Sequence, residues 1–480
     1  MAEEKAILSV GIDIGTSTTQ LVFSRLSMEN TSGYFTVPRI SIVDKEVVYR
    51  SDIHTTPLRT RTLIDGEAVR RIVEAEFEKA GFTPADTGTG AVIITGESAR
   101  KENAALVLRE LSGFAGEFVV STAGPDLEAI IAGKGSGAWQ YSQEMSCTAV
   151  NLDIGGGTTN LVMFDCGRVA AKGCLDIGGR LVRLEKDLTV TYLSPAAGLV
   201  AQSLGLPLRE GERTSLEELR GLCRGMAQVL EECLGLWEAG PLLERLQTPG
   251  SSLFRPPKAI QAVFFSGGVA DSVYQPPQGG DPIPYGDIGA LLGEAIREGR
   301  LCSAFRLQRG KETIRATVVG AGSYATSLSG STIDCPGELF PLKNVPVLKL
   351  SPEEQEAAFR GEAAPMAERI RWFLGQSDSP RLVIAMEGEK NPSYPRVKAL
   401  ASALAAAAEE ALPPGEPLLA VVREDMAKAL GQAARPLLAP GRAAAFLDGI
   451  QAEQNDYMDM GRPLMDGLVV PVVVKTLIFG

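Results

Sequence analysis

The chain has 480 residues, 45% hydrophobic and 22% charged, enough for two to four domains with real cores. Its 59 acidic and 47 basic side chains leave a net charge of −12, a surface that repels phosphate backbones and argues against nucleic acid as the main partner. A single histidine, His54, rules out a multi-histidine metal centre within one chain. Seven scattered cysteines with no C-x-x-C pair read as reduced thiols of a cytosolic protein.

In chain order, Ala6–Gly15 and Gln20–Leu26 are β-branched and aromatic runs that meet at a Gly/Ser/Thr corner, the signal of a β-hairpin. A polar, extended region follows to about residue 66. Glu67–Ala80 has helical spacing, with Val69, Ile72, Val73 and Phe77 on one face and Gly81 as the stop. Ala91–Thr95 and Glu117–Ser121 read as strands, and Ser98–Leu111 as a helix. The opening pattern then recurs at Thr148–Phe164, followed by a strand at Arg168–Gly173. Two helices are expected within 212–247, a strand and turn at Ala262–Gly268, a loop at Pro276–Pro284, a helix at Ile288–Gly299 and a strand at Arg315–Val319. Phe340–Pro346 reads as a linker. Beyond it, strands at Arg381–Met386, Leu418–Val422, Ala444–Leu447 and Leu468–Val474 alternate with helices at Ala364–Leu374, Val397–Leu412 and Met426–Leu438. The apolar end, Gly467–Phe479, is too short and too interrupted by Pro471 and Lys475 to span a bilayer, and reads as part of a buried strand pair. The start has no signal-peptide h-region.

The chemistry lies in the repeat. Asp13-Ile-Gly15-Thr16-Ser17-Thr18-Thr19 and Asp153-Ile-Gly155-Gly156-Gly157-Thr158-Thr159 stand 140 residues apart. A Gly/Ser/Thr hairpin gathers backbone amides and hydroxyls into a concave anion site, and consecutive glycines let phosphate come close to the backbone. An Asp at the strand end suits Mg²⁺ held through its hydration shell. Either turn alone is as well explained by threonines that satisfy their own backbone. Two matching copies instead suggest two similar domains facing each other across a nucleotide tail. A third motif, Phe264-Phe-Ser266-Gly267-Gly268-Val-Ala-Asp271, ends a buried strand in glycines where the chain can lie flat against a purine.

These motifs, in this order, resemble the actin, heat-shock chaperone and sugar-kinase superfamily over about residues 6–330. The resemblance implies two ribonuclease H-like domains that bind ATP and Mg²⁺ between them. Asp13 and Asp153 would serve the metal and the attacking water. Gly15–Thr19 and Gly155–Thr159 would hold phosphates, and Gly267, Gly268 and Asp271 the adenosine. Asp176-Ile-Gly-Gly-Arg180 is similar to the superfamily's Gly-Gly corner. Ala123–Gly133 and Val319–Thr326, with Gly320 and Gly322, are placed like the two connecting helices. Asp126 and Glu128 open the first of these, where carboxylates favour the helix dipole; Glu128 is the candidate for orienting water. One departure stands out. Actins and sugar kinases commonly carry Lys or Arg seven residues after the first Asp, whereas this chain has Gln20. That points to modest hydrolysis and a nucleotide acting as a conformational ligand.

Ile93–Ala104, Ser121–Gly135, Gly320–Ile333 and Asp459–Phe479 carry a narrower resemblance, to the ethanolamine ammonia-lyase reactivating factors, running nearly end to end. It implies a chaperone-like, slow ATPase of ethanolamine utilisation that releases damaged cobalamin from adenosylcobalamin-dependent ethanolamine ammonia-lyase. The partner is that enzyme, with cobalamin reached only indirectly. The location is cytoplasmic, with a bacterial microcompartment in the same context, and a homodimer is one option for the assembly. Neither a membrane nor a nucleic-acid role is expected. The fold expected is α/β, with domains at 1–145 and 146–340 and a small C-terminal α/β module at 341–480. Two rivals share the hairpins: an actin-like filament or division-site ATPase, and a small-molecule kinase. The first often carries a terminal amphipathic helix, and the second needs a substrate-side base; neither is evident here. His54 reads as an exposed or hydrogen-bonded loop histidine, and Glu97, Arg100, Lys101 and Glu102 as a solvated helix face.

Overall fold

The computed structural model describes residues 5–16, 18–30, 40–60, 62–96, 98, 101–111, 114, 120–122, 124–275, 281–324, 327–329, 333–377, 379–454, 456–463, 467 and 469–476. β1 (Lys5–Ile14) and β2 (Thr18–Asn30) form the expected antiparallel hairpin. β3 (Ile40–Arg50) extends it, and β4 (His54–Thr55) pairs with β2 at Thr18 and Thr19. α1 (Gly66–Ala80) starts at Asp65, whose side chain accepts from Ala68 N, and stops at Gly81, whose φ of 74° is the left-handed backbone that favours glycine. β5 (Thr89–Ile94) runs parallel to β1, α2 (Ala104–Leu111) follows, and β6 (Val120–Thr122) runs parallel to β5. The sheet order is β3-β2-β1-β5-β6. α1 and α2 cover the face that carries Val10, Ile12, Ile14, Leu21 and Phe23.

After α3 (Pro125–Gly135) and α4 (Ala138–Glu144) the pattern repeats. β7 (Thr148–Ile154), β8 (Thr159–Asp165) and β9 (Arg168–Leu175) form an antiparallel meander. β10 (Val182–Leu184) and β11 (Val190–Leu193) make a separate ribbon, and α5 (Pro195–Ser203), α6 (Leu216–Cys233) and α7 (Pro241–Arg245) come next. β12 (Ala262–Ser266) lies parallel to β7; α8 (Ala270–Tyr274), α9 (Gly289–Glu298) and α10 (Leu301–Ala304) precede β13 (Arg306–Leu307), which lies parallel to β12. The order is β13-β12-β7-β8-β9. Counted in chain order, both sheets read 3-2-1-4-5, with three antiparallel strands and then two parallel to the first. The chain therefore builds one ribonuclease H-like core twice.

α11 (Ala316–Tyr324) leads through β14 (Ser327–Leu328) into a third sheet. β15 (Leu342–Lys349), α12 (Pro352–Phe359), α13 (Ala364–Leu374), β16 (Val383–Met386), α14 (Tyr394–Ala411), β17 (Leu418–Val422), α15 (Ala427–Ala434) and β18 (Ala444–Leu447) form a parallel α/β layer. β19 (Asp456–Met460) and β20 (Pro471–Thr476) continue it antiparallel. The expected strand at 315–319 is instead the start of α11. Its β-branched run Thr317-Val-Val reads as a strand locally, but the helix is held by close packing at Gly320. The expected linker at 340–346 contributes most of β15, whose Val345 and Val347 are buried in the sheet's own core.

Glycines bring the two cores together. A Cβ on Gly135 of α3 would lie 1.8 Å from Ala316 O, and one on Gly320 of α11 would lie 2.0 Å from Ile131 O. α11 also presses on β1, where a Cβ at Gly11 would lie 2.3 Å from Val318 O, while α3 packs on β8 through Gly133 against Val162 and Phe164. Each helix thus lies on the sheet that the other one follows in the chain. The third sheet reaches this crossing through Val473, which packs with Ala91, Ile93, Ile131 and Ala321.

Candidate functional site

Strand alternation places the key acids. Ile12 and Ile14 point into the α1 side of the first sheet, so Asp13 points with Gly11 toward α11. By the same rule Leu152 and Ile154 enter the core of the second sheet, and Asp153 faces the connecting helices. α3 brings Glu128 to the same place, and all three carboxylates are buried. Thr95 Oγ1 donates to Asp13 Oδ1 at 3.0 Å. Ser266 Oγ donates to Asp153 Oδ1 at 2.5 Å, and Thr317 Oγ1 to Asp153 Oδ2 at 3.4 Å. Glu128 Oε2 accepts from Gly96 N at 3.4 Å.

Burial pushes Asp13 up to about 7, against the Thr95 hydrogen bond and with the charge of Asp153 adding to the rise. Burial likewise pushes Asp153 up to about 6, opposed by Ser266 and Thr317. Glu128 is raised well above the carboxylate range, first by burial and then by the charges of Asp153 and Asp13. Among the described residues no Lys or Arg forms an ion pair with any of the three. Across the hairpins, Gln20 stands opposite Asp13 and Asn160 opposite Asp153. Both are buried, and Gln20 Oε1 and Asn160 Oδ1 have no hydrogen-bond partner. An all-oxygen donor set with excess negative charge and orphaned acceptors suits a hard, hydrated divalent cation.

The turns close in the same way, Gly15 N to Thr18 O at 2.8 Å and Gly155 N to Thr158 O at 2.9 Å. Gly155, Gly156, Gly157 and Thr158 are half-buried at the second turn, as are Gly15, Thr16 and Thr18 at the first. Ser17 lies outside the described residues. Thr19 and Thr159 turn inward, because they occupy the core-facing register of their strands. Thr19 Oγ1 lies 3.1 Å from Thr56 Oγ1, and Thr159 Oγ1 donates to Ile177 O at 2.7 Å, so neither hydroxyl faces its turn. A Cβ on Gly267 would lie 2.3 Å from Ile154 O, whereas one on Gly268 would find only Ile314 Cδ1, at 4.0 Å. Asp271 is exposed in α8. Gly320 sits at the helix crossing, with Gly322 two residues further along α11. Asp126 is committed elsewhere: it accepts from Ser252 N and Oγ at 3.1 and 2.7 Å and pairs with Lys172 at 3.1 Å, which leaves Glu128 as the acid of α3 that meets the hairpins.

Thr95 and Thr317 as partners of the acids, and the pairing of Ser266 with Asp153, are absent from the sequence reading. Thr95 and Asp13 are 82 residues apart, Thr317 and Asp153 164, and no local pattern links either pair. His54 is hydrogen-bonded as expected, to Glu76 Oε1 at 2.9 Å. With Asp52 and Glu76 it forms the one group of three possible metal ligands within 4.8 Å of one another among the described residues, and the Lys79 ammonium already fills it, 2.6 Å from Glu76 and 3.0 Å from Asp52. No described helix is long and apolar enough to cross a membrane.

Comparisons with known proteins extend this picture. The family model for ethanolamine utilisation protein EutA matches residues 5–480. Two relatives, both named ethanolamine ammonia-lyase reactivase EutA, come from Salmonella typhimurium and Escherichia coli. Each is 34% identical to this chain, over 479 and 482 residues respectively, covering 99% of both chains. Among solved structures, component A of (R)-2-hydroxyglutaryl-CoA dehydratase from Acidaminococcus fermentans is 13% identical, with a TM-score of 0.35 over 66% of this chain and 97% of that one. Ethanolamine utilization protein EutJ from Carboxydothermus hydrogenoformans is 15% identical, with a TM-score of 0.31 over 66% of this chain and 89% of that one. A family model that spans the chain almost from end to end, with two full-length relatives at 34% identity, places it: this chain belongs to the EutA family.

Proposed function

We propose that this chain is an ATP- and Mg²⁺-dependent reactivating factor that frees damaged cobalamin from ethanolamine ammonia-lyase, so that intact adenosylcobalamin can rebind. The observation that carries the reading is the pair of Asp-led hairpins converging with Glu128 at a helix crossing, in a chain whose full-length relatives bear the reactivase name. Asp13 and Asp153 would hold the hydrated metal, with Gln20 Oε1 and Asn160 Oδ1 as further acceptors for its water. The amides of the two turns and the hydroxyls of Thr16, Thr18 and Thr158 would meet the phosphates. Gly267 and Gly268 would lie against the adenosine. Bound ATP supplies a phosphoanhydride whose cleavage and release distinguish two states of the site. Glu128, kept protonatable by its buried setting, would orient the attacking water and take its proton at a carboxylate oxygen. α3 and α11 carry the change outward, since each belongs by packing to one core and by sequence to the other. A ligand shifts such an equilibrium only by binding one state better, so the cleft must close more tightly on one nucleotide form. The protein would act in the cytoplasm or at a microcompartment, on the enzyme rather than on free cobalamin.

The test is reactivation. Ethanolamine ammonia-lyase is inactivated with cyanocobalamin, then incubated with this protein, ATP, Mg²⁺ and fresh adenosylcobalamin. Activity should return only when all are present. Recovery no greater than in the control without ATP would overturn the reading.

A further inference from the structure

The Gly-Gly corner behind the second hairpin is locked to it by two backbone bonds, Gly179 N to Gly155 O at 2.9 Å and Arg180 N to Gly156 O at 2.7 Å. Gly178 fits so tightly that a Cβ there would lie 2.5 Å from Gly156 O. In front, the turn is open. A Cβ on Gly157 would meet nothing within 4 Å, and among the described residues the amides of Gly156 and Gly157 have no acceptor. Arg180 therefore starts from the residue that backs an open, amide-lined turn. Its side chain is 36% exposed, and Nε pairs with Asp287 Oδ2 at 3.2 Å. Its two terminal amino groups make no bond among the described residues. Asp287 is buried and fixed in turn, its Oδ1 accepting from Gly289 N at 2.9 Å beside the start of α9.

A guanidinium held by Nε alone presents its outer amino groups as a fork for an anion. The first hairpin offers no such charge, since Gln20 is neutral, with its Nε2 donating to Ile314 O at 3.1 Å and its side chain hydrogen-bonded to Asp13. We propose that Arg180 is the cation of the nucleotide-phosphate subsite, set beside the second glycine turn and kept aimed by Asp287. This rests on the nucleotide reading above and assigns its charge-bearing residue. Arg180 is a binding residue in this account, supplying the positive charge that Gln20 lacks.

The test uses the full-length protein and equilibrium titration with Mg-ATP, Mg-ADP and adenosine. Arg180→Ala should weaken Mg-ATP by about 10- to 100-fold, as expected for loss of a charge-assisted bond, while adenosine affinity stays within about twofold. Arg180→Lys should recover part of the loss. Asp287→Asn retains an acceptor for Gly289 but removes the charge that aims Nε, so it should weaken Mg-ATP by about threefold to tenfold, less than Arg180→Ala. Unchanged Mg-ATP affinity in Arg180→Ala would overturn the proposal. So would an equal fall for ATP and adenosine, or a loss in Asp287→Asn as large as that in Arg180→Ala, because either marks a brace rather than a phosphate ligand. Failure of the unaltered protein to bind ATP would overturn the nucleotide reading itself, and this assignment with it.

Discussion

The two hairpins share register, turn closure and the acid at the strand end, yet they are braced differently. At the first, the Gly15 carbonyl accepts hydroxyls from Thr56 at 2.8 Å and Ser98 at 3.0 Å, side chains from distant segments. Gln20 ties the same hairpin to Ile314, just ahead of α11. At the second, the brace is backbone from the neighbouring corner, Gly178 to Arg180, and three glycines leave the front of the turn bare. Asp13 is also the more perturbed acid, with one recorded hydroxyl partner where Asp153 has two. The first hairpin thus senses the second core through its side chains, while the second presents backbone to an anion. One repeated motif supports two jobs because the residues outside the repeat differ.

The largest effect should come from removing either acid. Asp13→Ala and Asp153→Ala should each lower ATP hydrolysis by about a hundredfold or more, and the double variant little further if both serve one metal. Full hydrolysis in either single variant would separate the hairpins and break the comparison. Next come the glycines of the second hairpin. Gly178→Ala forces a methyl into Gly156 O and should cost about 1–3 kcal/mol in denaturant unfolding. Gly157→Val faces open space and should leave the unfolding midpoint near that of the unaltered protein while nucleotide affinity falls; the reverse ranking would show that the turn is structural only.

The smallest effect is in pH. With Asp13 at about 7 and Asp153 at about 6 in the folded protein, against about 4 for a free carboxyl, the folded state holds protons that the unfolded chain has already lost. Stability should therefore fall as pH rises through about 4 to 7 and stay reduced above it. Acids with lowered values, such as Asp126, titrate below that window and do not oppose the trend. Metal-free protein should melt a few degrees lower at pH 8 than at pH 5.5. Asp13→Asn should flatten that slope more than Asp153→Asn, and equal slopes would remove the electrostatic difference between the hairpins.

Much of this was legible in the residues. The repeated Asp-led motif, read as two facing copies, corresponds to two sheets of identical strand order, and α13, β17 and β18 match their expected bounds. Local signals misled where packing overrode propensity. Thr317-Val-Val lies in a helix because Gly320 lets that helix approach α3, and Pro341 and Pro346 masked a strand that the third sheet needs. The acids of the site were readable because a strand-end Asp before a glycine turn is a local pattern. Their partners were not.

By itself, then, the sequence determined what hairpins and helices can record locally: alternation, turn glycines, caps, and a motif written twice. Tertiary structure alone decided that Asp126 turns away to Ser252 and Lys172, that Thr95 and Thr317 reach Asp13 and Asp153, and that Arg180 meets Asp287 across 107 residues. The physical reason is range. Periodicity reports on neighbours a few positions away, whereas burial and charge act through space, among whatever residues the fold brings together.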